Sequence, residues 1–292
     1  MFETPELSVI VVTHSKPKLL VQYVRSIYRS SNMPTTEILV YRSGNPLDLE
    51  PGLIAKELAK DRPPFVTRIS VIEDSENLGA PIGTNVLSGL ARGRYLFICN
   101  DDCIVNVNDW YTPLRELIQD PTVGVVCSHL IQGEPGQFDE NPDFAIMEKQ
   151  ISLFAHSQNG LQAQLVEFHE GPSNQPWFLR KEDIQKYCVQ DPIINQMTFM
   201  CEWIDPHGAG WFVDWDFYHR IKLAGLRLGV CPQSTVFHYG HVTCRDMDKH
   251  KPGWTEVCQR HYSAKWQTGD KELNANFKNR KFVLQDGVLT PV

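Results

Sequence analysis

Short apolar runs alternate along the first 130 residues with stretches in which apolar residues recur at three- and four-residue steps. The unbroken run at 7–13, rich in Val and Ile, is typical of a strand covered on both faces. The stretch that opens at Pro17 has the periodicity of an amphipathic helix. Repetition of this alternation predicts an α/β domain with a mainly parallel sheet flanked by helices. The further elements predicted here are strands at 37–41, 68–72, 94–99 and 123–131 and helices that reach Arg92 and span 113–119.

The pattern weakens over residues 132–176, where Gly, Pro, Gln and Asn are frequent and a long loop region with a short helix near 144–154 is expected. Regular patterning then resumes, and residues past Pro252 are again polar. The resumed elements are a strand at 177–179, helices at 182–189 and 214–224, and strands at 226–230 and 235–239. We therefore predict one main domain at 1–243, with 132–176 as a loop-rich insertion and 244–292 as a C-terminal extension.

Composition narrows the class of protein. Hydrophobic residues make up 42% of the 292 and charged residues 22%, which is an ordinary balance for a globular chain. The net charge of −7 weighs against a protein that holds nucleic acid by neutralising phosphates. No apolar stretch approaches the roughly 20 residues that span a bilayer, and no signal peptide is visible. With eight cysteines read as reduced thiols, a cytoplasmic protein is expected.

An acidic run, Asn100-Asp101-Asp102, follows the predicted strand at 94–99. Ligands of open parallel sheets bind beyond the carboxyl ends of the strands, so this run lies where a site is expected. Two adjacent carboxylates repel each other unless they are solvated, hydrogen-bonded or holding a cation. Mg²⁺ and Mn²⁺ prefer such oxygen ligands. A solvated turn and a metal site are both compatible with the run alone.

The order of several motifs resembles the family-2 inverting glycosyltransferases with the GT-A fold, over roughly residues 6–243. The motifs are the strand Ser8-Val9-Ile10-Val11-Val12-Thr13-His14, then Asn77-Leu78-Gly79, the Asp-x-Asp-like Asn100-Asp101-Asp102, and a later acidic motif from Asp214 that ends in His238. The resemblance implies transfer of a sugar from a nucleotide diphosphate sugar, with a UDP-sugar favoured, to a hydroxyl acceptor. It also implies Mn²⁺ or Mg²⁺ as the cofactor.

The resemblance also implies roles for single residues. Asp102 corresponds to the main metal ligand, with Asn100 and His238 as weaker ones. Asp214 corresponds to the catalytic base, with Asp216 as the fallback, although an aspartate at a helix start is also an ordinary cap. The residues implied on the donor side are Thr13, His14, Arg42, Asn77, Gly79 and Asp101.

Two positions depart from the family pattern. Arg42 occupies the place of an aspartate that contacts the nucleotide base, and a guanidinium cannot accept hydrogen bonds from a uracil edge. Arg42 can instead pair with a phosphate or an unusual sugar, or face solvent. Val213 stands where a glutamate commonly precedes the base.

Aromatic residues flank the later acidic motif. Trp211 and Trp215, with Trp203 nearby, can stack on the apolar faces of an acceptor sugar or can be buried core residues. A glycan or a lipid-linked saccharide is the expected acceptor, and a modified nucleic-acid base is less expected. With no transmembrane segment, a membrane-bound acceptor would be reached by peripheral contact.

The tail holds a second possible metal set. His241 and Cys244 are three positions apart, as are Cys258 and His261, and the separation of the two pairs fits a structural Zn²⁺ or arises by chance.

Two other functions remain open. Nucleotidyltransferases also place acidic residues after strands to hold metal and phosphates. A catalytically inactive nucleotide- or carbohydrate-binding protein with the same fold is the other alternative.

Overall fold

The computed structural model describes residues 4–14, 16–44, 52–75, 79–105, 109–132, 164–166, 176–190, 197–198, 213–239, 282–285 and 288–291. The strands in these ranges are β1 Leu7–Thr13, β2 Thr36–Arg42, β3 Val66–Glu73, β4 Tyr95–Asn100, β5 Cys103–Val105, β6 Val123–Gln132, β7 Gln164–Val166, β8 Trp177–Arg180, β9 Val189–Gln190, β10 Met197–Thr198, β11 Arg227–His238, β12 Phe282–Gln285 and β13 Val288–Pro291. The helices are α1 Pro17–Tyr28, α2 Leu53–Ala59, α3 Gly79–Leu90, α4 Tyr111–Ile118, α5 Ile184–Tyr187 and α6 Val213–Leu223, with a 3₁₀ turn at Lys181–Asp183.

A nine-stranded sheet has the order β3-β2-β1-β4-β8-β6-β11-β5, and β7 pairs with β11. Strands β1, β2, β3 and β4 are parallel to one another, and β6 is parallel to β11. Strand β8 lies antiparallel between β4 and β6, so six strands share one direction. The carboxyl ends of β1, β4 and β11 therefore meet at one edge, where the antiparallel β5 begins.

Two apolar layers cover the sheet. Helices α1, α2 and α4 pack on one face, around Tyr23, Phe97 and Trp110. Helices α3, α5 and α6 pack on the other face, around Trp177 and Phe217. The predicted α/β class, a mainly parallel sheet flanked by helices, is confirmed. None of the described helices is both long enough and apolar enough to cross a bilayer.

Some elements differ from the sequence prediction. The two strands expected at 226–230 and 235–239 are one strand, β11, with an irregular register between Cys231 and Thr235. Pro232 has no backbone N–H to give to the ladder, which accounts for the interruption. The helix expected at 182–189 is shorter, and α2, β5, β7 and the reversed direction of β8 were not predicted. These short pieces carry too few residues to show a period.

Most of the predicted loop region 132–176 and of the extension 244–292 lies outside the described residues, including the expected helix near 144–154. Two short pieces are described, β7 in the first range and the β12–β13 hairpin in the second.

A buried carboxylate ties the amino ends of three strands together. Glu37 of β2 is fully buried and accepts hydrogen bonds from the Ser8 hydroxyl at 2.7 Å and from the Arg92 backbone N–H at 2.5 Å. The guanidinium of Arg68 on β3 donates to its other oxygen at 3.3 Å. Gly93 donates its N–H to the Ser8 hydroxyl at 2.8 Å. This network fixes the register of β1, β2 and β4 at the edge opposite the acidic run.

We predict that Gly93→Ala destabilises the protein. A Cβ at this position would lie 2.5 Å from the backbone nitrogen of Ser8, so strand β1 or the turn must shift. Overpacking of this kind costs about 1–3 kcal/mol of unfolding free energy. Gly89→Ala is the matched control, because a Cβ there meets nothing within 4 Å and alanine favours a helix by up to about 1 kcal/mol. Urea unfolding measures both, and equal stabilities for the two variants would contradict the prediction.

Candidate active site

The acidic run lies at the carboxyl edge of the sheet, as predicted. Asn100 is the last residue of β4, and Asp101 and Asp102 form the turn into β5. Thr13 ends β1 and His238 ends β11, so strand register brings both to this edge. Only 7% of Asp101, 6% of Asp102 and 3% of His238 is exposed. The interpretation of the run as a solvated turn is therefore wrong.

Asp101 is held by β1. The Thr13 hydroxyl donates to one Asp101 carboxylate oxygen at 2.6 Å. Burial raises the pKa of Asp101 to about 7, and the neighbouring Asp102 carboxylate adds to the rise. Thr13 and the His238 ring act in the opposite direction but do not offset it. The contacts from Thr13 and His238 therefore do not fully compensate for the burial of this carboxylate.

Asp102 is held by β11. Its carboxylate lies 3.1 Å from Nε2 of His238, and its backbone carbonyl accepts the N–H of Tyr239 at 2.9 Å. Burial acts to lower the pKa of His238, but the Asp102 carboxylate and its hydrogen bond outweigh burial, so the pKa is raised. The pair therefore favours an imidazolium beside a carboxylate in the metal-free site.

The side chains of Asp102, Cys103 and His238 offer ligand atoms that all lie within 4.8 Å of one another. A carboxylate oxygen, a thiol sulfur and an imidazole nitrogen within this distance fit one divalent cation. Cys103 was missed by the sequence analysis, which treated it only as one of eight reduced thiols. The signal that could have found it is its position directly after the acidic run.

A second group of contacts connects the ends of β1 and β2 to the start of α3. Nδ1 of His14 donates to the Ser43 carbonyl at 2.5 Å, and the Ser43 N–H donates to the Thr13 carbonyl at 2.8 Å. The N–H of Gly79 donates to the Ser43 hydroxyl at 3.1 Å. Gly79 has a φ of 80°, which suits glycine at this turn into the helix. Asn77 lies outside the described residues.

Arg42 is buried, with 4% exposed, and its guanidinium lies 3.3 Å from the Glu73 carboxylate at the end of β3. The solvent-facing alternative for Arg42 is therefore wrong. The next residue, Asp74, donates its N–H to the Arg42 carbonyl at 2.9 Å and accepts the Tyr41 hydroxyl at 2.7 Å. Sequence reasoning did not single out Glu73 or Asp74. Their place at the end of β3 and directly after it was the available signal.

Asp214 and Asp216 lie in the first turn of α6. Burial raises the pKa of the Cys127 thiol on β6 to about 12, and the Asp214 carboxylate adds to the rise. Asp216 is fully buried and pairs with the equally buried Arg220 at 2.7 Å. One carboxylate of the motif is thus committed to an internal ion pair. Asp214 is 9% exposed.

Trp215 is half-buried and packs against the apolar layer of α3, α5 and α6. Trp203 and Trp211 lie outside the described residues. So do the four predicted zinc ligands, His241, Cys244, Cys258 and His261.

Residues 8–178 match the family model described as glycosyl transferase family 2, which is more than half of the chain. The chain belongs to this family. No curated protein matches it.

Solved structures share the fold of this family-2 chain. TarS of S. aureus is 14% identical with a TM-score of 0.59, over 94% of this chain and 43% of TarS. Residues 1–349 of TarS, solved in complex with UDP-GlcNAc, are 15% identical with a TM-score of 0.58, over 94% of this chain and 72% of that one. The mannosyltransferase PcManGT from Pyrobaculum calidifontis, solved in complex with GDP-Man and Mn²⁺, is 15% identical with a TM-score of 0.55, over 89% of this chain and 65% of that one. These matches confirm the GT-A fold, and the chain spans less than half of the first of these TarS chains.

The buried carboxylate predicts a pH dependence of stability for the metal-free family-2 chain. Asp101 has a usual pKa of 3.8 that rises to about 7 on folding, so the folded state binds more protons between these values. The stabilisation of the folded state by protonated Asp101 is complete below the pKa of this residue in the unfolded chain. It is lost as the pH rises through the pKa of Asp101 in the folded protein. His238, whose pKa is also raised, acts in the same direction. We expect the unfolding free energy to fall by on the order of 1–3 kcal/mol from pH 5 to 8.

Urea unfolding in the presence of a chelator tests this dependence. Asp101→Asn is expected to reduce the slope. Asp120→Asn, on an exposed turn, is expected to keep it, because the pKa of Asp120 is lowered and lies below this window. A wild-type stability that is constant or rises from pH 5 to 8 would show that the assigned shifts are wrong.

Proposed function

We propose that the protein is an inverting glycosyltransferase that moves a sugar from a nucleotide diphosphate sugar to a hydroxyl acceptor. The observation that carries the proposal is the buried set of Asp101, Asp102 and His238 at the carboxyl edge of the sheet, in a chain that belongs to glycosyl transferase family 2. Such an edge is where open α/β sheets bind their ligands.

The proposed cation site is formed by Asp102 and His238, and Asn100 ends the strand that leads into the same turn. A divalent cation bound there would stabilise the negative charge that develops on the leaving diphosphate. The complex of PcManGT with Mn²⁺ supports Mn²⁺ as the cofactor, and Mg²⁺ is the alternative. Asp101, oriented by Thr13, would accept hydrogen bonds from hydroxyl groups of the ribose or the sugar.

Asp214 is the proposed general base, which accepts the proton of the acceptor hydroxyl as that oxygen attacks the anomeric carbon. Its place in the first turn of α6 favours the ionised carboxylate, because the amino end of a helix dipole is positive. The buried pair of Asp216 with Arg220 is better suited to holding the helix in place than to proton transfer. An attack from the face opposite the leaving group gives inversion.

The donor base is proposed to bind near His14, Ser43 and Gly79, with Asp74 as the hydrogen-bond acceptor. Uracil presents an N–H that requires an acceptor, which Arg42 cannot supply. The Asp74 carboxylate, held by the Tyr41 hydroxyl, supplies one at the neighbouring strand end. The TarS complex with UDP-GlcNAc supports a UDP-sugar, although guanine offers N–H donors as well and PcManGT binds GDP-Man.

The proposal extends to the domain limits, the acceptor and the compartment. Residues 1–243 would form the transferase domain, with the acceptor bound near 132–176, Trp211 and Trp215. Loops on a rigid scaffold usually set such specificity. The acceptor class is a glycan or lipid-linked saccharide. Five described cysteines are free thiols, which fits the reducing cytoplasm.

We predict that Asp214→Asn lowers kcat at least 100-fold and changes UDP affinity less than about threefold, because loss of general-base catalysis costs roughly 10²–10⁴ in rate. The measurement is release of nucleoside diphosphate from a panel of nucleotide sugars with Mn²⁺ and saccharide acceptors. Asp120→Asn, on an exposed turn, is the control and is expected to retain wild-type rates.

The same assay separates the alternatives. Binding of UDP with no turnover of any nucleotide sugar would overturn the proposal in favour of an inactive binding protein. Turnover of nucleoside triphosphates instead would favour a nucleotidyltransferase.

We predict that Asp74→Asn weakens UDP binding roughly 10- to 100-fold, since a hydrogen bond to a charged group contributes about 1.5–3 kcal/mol. Tyr41→Phe removes only the hydroxyl that orients Asp74, so a smaller loss is expected. Isothermal titration with UDP and with ADP measures the change. An unaltered UDP affinity in Asp74→Asn would exclude this residue from base recognition.

A further inference from the structure

Cys103 and His238 form a cross-strand pair. Cys103 is the first residue of β5 and His238 is the last residue of β11. The two strands are antiparallel, and these residues lie directly opposite each other. Directly opposite residues in an antiparallel pair present their side chains on the same face of the sheet. The Cys103 sulfur is therefore on the face from which the His238 ring reaches Asp102.

The alternation of side chains along the strands places Cys103 and Asn100 on opposite faces of the sheet. Cys103 and Cys99 pack in the apolar layer that α1 and α4 cover. Asn100 pairs in register with Val12, which packs against the opposite layer, so the Asn100 side chain belongs to the α3 face. On the face of His238, the third donor beside Asp102 is a sulfur and not an amide oxygen.

The distances support a shared ion. Ligand atoms of Asp102, Cys103 and His238 all lie within 4.8 Å of one another. Catalytic zinc sites have three protein ligands, which are drawn from the carboxylate, thiolate and imidazole side chains that Asp102, Cys103 and His238 carry. Thiolate sulfur favours borderline ions such as Zn²⁺ and Co²⁺, whereas Mg²⁺ takes oxygen ligands almost exclusively.

We propose that Cys103 is a sulfur ligand of the cation site, and that the site consequently binds Zn²⁺ and Co²⁺ more tightly than Mg²⁺. The inference rests on the proposed cation site of the transferase and adds to it a ligand and a metal preference. On binding, the thiol gives its proton to solvent and the sulfur donates an electron pair to the cation. No oxidant or other reactant is needed.

The test is a titration of the full chain with Co²⁺, followed by absorption spectroscopy. A sulfur ligand gives a thiolate-to-cobalt charge-transfer band in the near ultraviolet, which oxygen and nitrogen ligands do not give. We expect the wild type to show this band at one equivalent of Co²⁺. Cys103→Ser should lose it, and Cys99→Ser should keep it, because Cys99 is a similarly buried thiol on the preceding strand, β4, and is not a member of the ligand group.

A competition experiment measures the preference itself. Zn²⁺ and Mg²⁺ affinities are compared by the shift in unfolding temperature of the wild type and of Cys103→Ser. We expect Cys103→Ser to weaken Zn²⁺ binding by more than the roughly 10- to 100-fold that loss of an outer-shell partner costs. Its Mg²⁺ affinity should change less than about threefold, since a hydroxyl oxygen replaces the sulfur.

Two outcomes would overturn the inference. The first is a wild-type Co²⁺ complex without the charge-transfer band, and the second is a band that persists in Cys103→Ser. If Cys103→Ser does not fold, Asp102→Asn takes its place, because a band from this centre must also weaken when the shared carboxylate is lost. Sugar transfer without the band would contradict only the sulfur ligand, whereas the band without sugar transfer would contradict only the proposed function.

Discussion

Two adjacent carboxylates with almost no exposure to solvent are the constraint on which the rest of this structure depends. Asp101 and Asp102 occupy a turn in which their charges repel and water cannot screen them well. Burial of an unpaired carboxylate is costly, so each needs a partner. Thr13 from β1 provides one and His238 from β11 provides the other. The raised pKa of Asp101 shows that this compensation is incomplete.

The scaffold is arranged to hold these partners in place. Three strands, β4, β8 and β6, lie between β1 and β11, and the parallel registers of β1 and β4 set Thr13 beside the acidic turn. At the opposite edge, Glu37 accepts hydrogen bonds from Ser8 and Arg92 and so holds the amino ends of β1, β2 and β4 in one register. A shift by one residue would reverse the faces of every side chain in a strand. A structural network at one edge therefore stabilises the geometry of the site at the other.

Much of this could be predicted from the sequence, and the rest could not for physical reasons. Apolar periodicity predicted β1, β4 and β6 with bounds within two residues, because buried parallel strands need long apolar runs. It could not predict that β8 is inserted antiparallel between β4 and β6, since strand order depends on long-range pairing. The burial of Arg42 against Glu73 depends on the register of β2 with β3, which no local pattern encodes. The ion pair of Asp216 with Arg220 could have been predicted from the sequence, because the two residues are four positions apart on one predicted helix.

The central claim is that the acidic turn holds a cation that in turn holds the diphosphate of a nucleotide sugar. The most direct measurement is the affinity for UDP by isothermal titration, with and without Mn²⁺, in the wild type and in Asp102→Asn. The account predicts that Mn²⁺ strengthens UDP binding to the wild type at least tenfold, about 1.4 kcal/mol. It predicts that Asp102→Asn loses this enhancement and keeps the weaker metal-free binding. Equal UDP affinity with and without Mn²⁺ in the wild type would contradict the account.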